Sequence, residues 1–371
     1  MSRWALLAGI AALAALLVWP AEKKRKEEES QTLELPKELP AAVVAEAGRL
    51  RFSVTPLSAR GLLTQQVRDG LRWLLSQDRG ATIVKLRAFV AGSGDTRRVQ
   101  TIVSETFTER RLALPALSVV QSGPLPLEGA QVVLEAVAEE KKALNPQGLA
   151  FLSGQGAEVD QPLQPMLPLV EKSLAGLRSA AGAAGIDPSD VLLATCYLSS
   201  LDDLDGVRAR AYAEFPKAAI DIVQRMREPM QSLAQCEAVA RLRQRPAQPL
   251  VFVASPGSPS SAGGSRIALV GAGRVAFTGA QLAFGFNEPA ARLAFQRLAK
   301  VLEGVGATYG GVAVAEVYPL SRSIAELVRK VQPEFFDRAR PPAGVMLPFE
   351  GLPSLDASFA VDAIAVLPDS P

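Results

Sequence analysis

The strongest constraint on this 371-residue chain is that its body says nearly the same thing three times. Three segments, Val132–Ala138 (VVLEAVA), Ala234–Ala240 (AQCEAVA) and Ala360–Val366 (AVDAIAV), each set an acid before alanine, a β-branched residue and alanine. Glu135, Glu237 and Asp362 are therefore equivalent positions, and recurrence at about a hundred residues marks repeated structural units. The second interval is the longer one. Its excess matches Arg245–Ser265, a stretch rich in Pro, Ser and Gly that reads as a linker or loop.

The remaining elements recur in the same order. Each copy opens on a short apolar strand, at Gly48, Gly148 and Gly273. A helix with apolar residues at helical spacing follows: Val67, Leu71 and Leu74; Val170, Leu174 and Leu177; Ala294, Leu298 and Leu302. Then come a β-rich run from Thr82, Asp190 and Gly311, a second helix, and two closing strands. The order is β-α-β-α-β-β after an initial short hairpin. Such a mixture predicts an α+β class, a mixed sheet with two helices on one face of each unit. The uncovered faces must bury themselves, and with three units in one chain the economical solution is mutual packing about a pseudo-threefold axis. The expected boundaries are 1–40 for an N-terminal segment and tether, 41–145, 146–244 and 266–371 for the units, and 245–265 for the linker.

Before the units, Trp4–Trp19 is an uninterrupted apolar run. At helical rise it spans about 24 Å, just short of a hydrocarbon core of about 30 Å. It ends on bulky Trp19 rather than the small residues of a cleavage site, so an uncleaved membrane anchor is expected. Lys23–Lys26 follow at once, which places the body on the cytoplasmic side, with a periplasmic or secreted body as the alternative.

Composition excludes several chemistries. The chain has no histidine, so imidazole-based triads and His-ligated zinc are ruled out, and no metal or cofactor site is expected. A net charge of +2 gives no long-range field for nucleic acid. Cys196 and Cys236 read as buried free thiols, with a single bridge between them as the alternative. Gly271-x-Gly273-x-x-Ala276 has the spacing of a dinucleotide fingerprint, but strand-like sequence continues after it, and a hairpin turn is the better reading.

The joint pattern resembles the Rid (YjgF-type) family of small trimeric proteins with a chorismate-mutase-like fold. The residues that carry the likeness are Ser153-Gly154-Gln155, the variant Thr278-Gly279-Ala280-Gln281, Asp190-Val191 and the EAVA-like closing strands. The resemblance implies a single-chain pseudotrimer, monomeric and self-sufficient, with small-molecule clefts between units. It also implies an arginine in a Pro-Ala-Arg-Ser stretch that grips a substrate carboxylate, and a glutamate that holds water for hydrolysis of an imine or enamine. Neither is kept. Leu117, Ala218 and Gly344 stand at the arginine position, and Val133, Gln235 and Ala360 at the glutamate position.

A membrane-tethered pseudotrimer that binds a small metabolite or serves as a scaffold is therefore the leading expectation. An imine or enamine hydrolase (deaminase) of altered specificity is the alternative, and an endoribonuclease-like activity a weaker one. Glu135, Glu237 and Asp362 are the candidate general bases, set against a simpler role in hydrogen bonding at the unit interfaces. The candidate ligand contacts are Ser153, Gly154, Gln155, Lys217, Arg208, Thr278, Gly279, Gln281 and Arg329.

Overall fold

The computed structural model describes residues 36–77, 80–92, 96–256 and 266–368. The apolar run 4–19 lies outside them; among the described residues no helix is long and apolar enough to cross a membrane.

Residues 36–371 form one compact unit of mixed α+β structure. The first third carries β1 (Ala42–Glu46), β2 (Leu50–Val54), α1 (Leu63–Gln77), β3 (Thr82–Ala91), α2 (Thr96–Glu109), β4 (Ala116–Ser122) and β5 (Val132–Glu139). The second carries β6 (Leu149–Val159), α3 (Met166–Ala183), β7 (Val191–Leu198), α4 (Leu204–Glu214), β8 (Ala219–Gln224), β9 (Ser232–Arg241) and β10 (Leu250–Ala254). The last carries β11 (Arg266–Val270), β12 (Arg274–Thr278), β13 (Gln281–Phe284), α5 (Glu288–Gly304), β14 (Val312–Pro319), α6 (Arg322–Val331) and β15 (Ala357–Val366).

Three sheets result, in the orders β2-β5-β3-β4, β10-β11-β6-β9-β7-β8 and β1-β12-β15-β13, with β14 also on β15. In each, the closing strand lies antiparallel between the opening strand and the middle strand. An edge segment runs parallel to the middle strand: β4 on β3, β8 on β7, and bridges from Ala343 and Met346 to β14. The parallel partner follows each middle strand through a helix, as a parallel connection requires.

Helical periodicity decides which face each helix buries. Val67, Leu71 and Leu74 of α1 meet Leu86, Ala88 and Val90 of β3, and α3 and α4, then α5 and α6, cover the other two sheets in the same way. Asn287 and Ser321 cap α5 and α6 by accepting from the amides of Ala290 and Ile324. The opposite sheet faces bury against one another. One apolar cluster joins Phe52, Phe151 and Phe277, and a second gathers Phe89, Tyr197 and Tyr318 around Phe349.

Three expectations need correction. The opening hairpins do not form, because the two short strands of a pair enter different sheets. β1 pairs with β12 of the last third, and β11 pairs with β6 of the second. The carbonyl of Gly48 beside β2 likewise accepts from Leu144 and Asn145, which precede β6. Gly271–Gly273 accordingly links strands of two sheets and opens no helix. Residues 245–265 are not only a linker, since they contain β10, which extends the second sheet; 257–265 lie outside the described residues. Finally, Cys196 and Cys236 are a disulfide, with Cα atoms 4.1 Å apart. They stand directly opposite in β7 and β9, neighbours in the sheet although β8 separates them in sequence.

Candidate functional site: an axial ion cluster and two clefts

The three recurring acids mark one level of the structure. On the middle strand opposite each stands a different residue: Arg87 faces Glu135, Thr195 faces Glu237, and Glu316 faces Asp362. Side chains alternate across a strand, so Lys85, Arg87 and Phe89 share the face turned from the helices while Leu86, Ala88 and Val90 face them. The acids and their opposites thus converge where the three sheets meet.

Arg87 is the centre of the cluster. Its Nε donates to Glu135 Oε2 at 2.6 Å, and its Nη2 donates to Glu237 Oε1 at 3.0 Å and Thr195 Oγ1 at 3.4 Å. Its Nη1 lies 4.0 Å from Glu316 Oε2. Its guanidinium also lies 5.2 Å from the Phe89 ring centroid and 6.0 Å from that of Tyr197. Beside it, Lys85 Nζ donates to Asp362 Oδ2, Ser118 Oγ and the Thr278 carbonyl at 2.9, 2.7 and 2.6 Å. Three acceptors use all three ammonium protons, so Lys85 is built as a charged tie rather than as a base for Ser118.

Burial opposes the charge on Arg87, but Glu135, the two tyrosines and Glu237 outweigh it and hold the guanidinium protonated. Burial lowers the Lys85 ammonium against the pull of Asp362. Burial, with Glu237 next, raises the Glu316 carboxyl well above the ordinary range. Asp221 is raised by burial and by Glu135, and Glu237 by burial against the pull of Arg87. Acids outnumber cations here, and the cluster holds protons that exposed carboxyls would have released.

Two clefts lie away from this axis. The larger, about 790 Å³, is bounded by Ser153, Gly154 and Gln235 of the second third and by Arg329, Phe336 and Gly344 of the last. Ser153 Oγ accepts from the Gly344 amide at 3.1 Å. Gly344 has φ +131°, and a Cβ there would stand 2.2 Å from the Ala315 carbonyl oxygen, so no side chain fits. Gln235 packs over Gly154, and both line the cleft. The smaller cleft, about 490 Å³, runs between Arg51 and Trp73 on one side and Lys217, Ala219 and Arg241 on the other.

The structure therefore gathers Ser153, Gly154 and Arg329 in one cleft and puts Lys217, which is exposed, in the other. It places the remaining candidates elsewhere. Gln155 turns back to the Ser153 carbonyl. Arg208 donates to the Pro126 carbonyl at 2.7 Å and ties the second third to the first. Thr278 is fully buried and its Oγ1 accepts from the Ala363 amide. The Gly279 amide donates to Ala41 O, and Gln281 Nε2 donates to Gly279 O. Glu135, Glu237 and Asp362 line the axial cavity and neither cleft. Lys85, Arg87 and Glu316 were missed, although charged residues inside Thr82–Ala91, a strand of otherwise apolar character, were a readable signal.

No protein-family profile matches the sequence, and no curated protein does. Solved structures match it in part. A YjgF-family protein of Mycobacterium tuberculosis is 22% identical over 25% of this chain and 79% of its own, with a TM-score of 0.24. One of Neisseria meningitidis is 14% identical over 33% of this chain and 100% of its own, with a TM-score of 0.25. A Rid-family protein of Yersinia pestis is 16% identical over 25% of this chain and 80% of its own, at 0.24. Segments of this chain are thus similar to YjgF-type proteins.

Glu316→Gln tests the ionic reading. A carboxyl whose folded pKa is raised contributes stability that is full below the unfolded value, about 4.3, and is lost as pH rises through the folded value. Wild type should lose stability relative to the variant as pH rises from about 4.5. At pH 8 the glutamine protein should be the more stable, measured by urea denaturation across pH.

Proposed function

We propose that the body is a single-chain pseudotrimer of Rid-like units that binds a small anionic molecule in the cleft between the second and third units and does not deaminate imines. The observation that carries this reading is Gly344. At the position where the family resemblance implies a carboxylate-gripping arginine, a positive φ and the Ala315 carbonyl leave no space even for a Cβ. Gln235 stands at the glutamate position and cannot act as a base. The cleft nonetheless remains open at about 790 Å³, which supports binding over a purely structural scaffold. Arg329 and Arg338 border it, and Phe336 and Met346 supply apolar wall, so a compact acid with an apolar body suits it.

The pseudotrimer is supported by the chain's own registers. The same strand order recurs in each third, the acids of all three meet at Arg87, and opening strands are exchanged between thirds. Units interlocked in this way need no further copy to complete a cleft.

A second reading keeps hydrolase chemistry in the smaller cleft. It is favoured by Arg51, Lys217 and Arg241 around one opening, with Glu140 2.8 Å from Arg51. One assay separates the two. Ammonia release from freshly generated 2-iminobutyrate by the full chain should not exceed the uncatalysed rate, while saturation-transfer NMR should detect benzoate binding that Arg329→Ala with Arg338→Ala reduces about tenfold or more. Turnover that is lost in Lys217→Ala would establish the hydrolase instead.

The disulfide bears on location. Buried bridges persist in oxidising compartments, so Cys196–Cys236 supports a body outside the cytoplasm, against the placement expected from Lys23–Lys26. Alkylation of the protein drawn denatured from cells should find both cysteines blocked until reduction; two free thiols would return the body to the cytoplasm.

A further inference from the structure

The axial cluster encloses a cavity of about 90 Å³ that neither cleft reading uses. Its mouth is apolar: Val137, Val239 and Ile364, each two residues beyond a recurring acid, are half-buried. Phe52, Phe151 and Phe277, one from each opening strand, form the wall. The floor is charged. Two cationic groups, Lys85 and Arg87, face four carboxyls, those of Glu135, Glu237, Glu316 and Asp362. Both cations are already engaged, Lys85 by three acceptors and Arg87 by carboxyls of all three units. The surplus on the floor is of acceptors.

Tyr318 points independently to a ligand. Its side chain is fully buried and lines the cavity, and its hydroxyl, though within reach of Arg87, makes no well-formed hydrogen bond among the described residues. Leaving a buried hydroxyl without a well-formed hydrogen bond destabilises the fold. Occupation by a polar group removes that cost.

We propose that this axial cavity is a binding site for a short primary alkylammonium ion. The ammonium donates to Glu316 and Tyr318 on the floor, and its alkyl group lies against the phenylalanines and the aliphatic mouth. Four carboxyls face two cations there, and the ammonium takes the place of the proton that burial keeps on Glu316, which it releases. Among the described residues no group of side chains has the arrangement to hold a metal ion, and the apolar wall offers a bare ion no ligands. The small volume favours a short chain over a bulkier ammonium ion. The site stands apart from the proposed cleft and does not depend on it.

Titration calorimetry of the full chain with ethylammonium chloride, against sodium chloride and tetramethylammonium chloride at matched ionic strength, tests this. The expected result is a saturable heat at one site per chain for ethylammonium alone. Glu316→Gln, and separately Tyr318→Phe, which keeps the ring and removes only the hydroxyl, should each weaken binding about fivefold or more. Heats equal for all three salts would overturn the proposal. So would ethylammonium binding undiminished in the folded Tyr318→Phe protein.

Discussion

One guanidinium holds the three sheets to one another. Arg87 lies on β3, yet it reaches a carboxyl of its own unit and one from each of the other two, and it rests against aromatic rings of the first and second. Removing one member of a buried ion network leaves the others uncompensated and typically costs about 3–5 kcal/mol. Here the uncompensated groups would be acids drawn from every third of the chain. The aromatic cluster around Phe349 and the apolar wall of Phe52, Phe151 and Phe277 sit on either side of that level and hold its charged groups out of bulk water. Water exclusion is what makes the ionic contacts strong and their loss costly.

Having all three sheets in one chain permits this chemistry. Three identical subunits about an axis would place three identical residues opposite the recurring acid, and three arginines or three glutamates there would repel. In a single chain the position carries arginine, threonine and glutamate in turn, so one cation serves several carboxyls. The same freedom differentiates the clefts. Gly344 admits no side chain in one, while Lys217 and Ala219 border another. Where Thr278–Gln281 approaches β4, the Leu117 carbonyl accepts from Ala280 and backbone fills the space.

The order of helices and strands was legible because it rests on local periodicity repeated three times. The buried faces of α1, α3 and α5 follow from residues such as Leu71, Leu174 and Leu298 at helical spacing. The positions of Ser153, Gln235 and Gly344 were legible as equivalents, and they meet in one cleft. What was hidden is pairing between residues far apart in sequence. Nothing local reveals that β1 leaves its neighbour β2 for β12, or that Cys196 faces Cys236. The partners of Arg87 were hidden for a related reason, since its acids lie on β5, β9 and β14 and only the closed arrangement joins them.

Hydrogen exchange of Arg87→Gln against wild type tests the claim that this residue ties the units together. Exchange should quicken in β3, β9 and β14 alike, because each loses support at the axial cluster. Faster exchange confined to β3 and its immediate neighbours, with β9 and β14 unchanged, would contradict it.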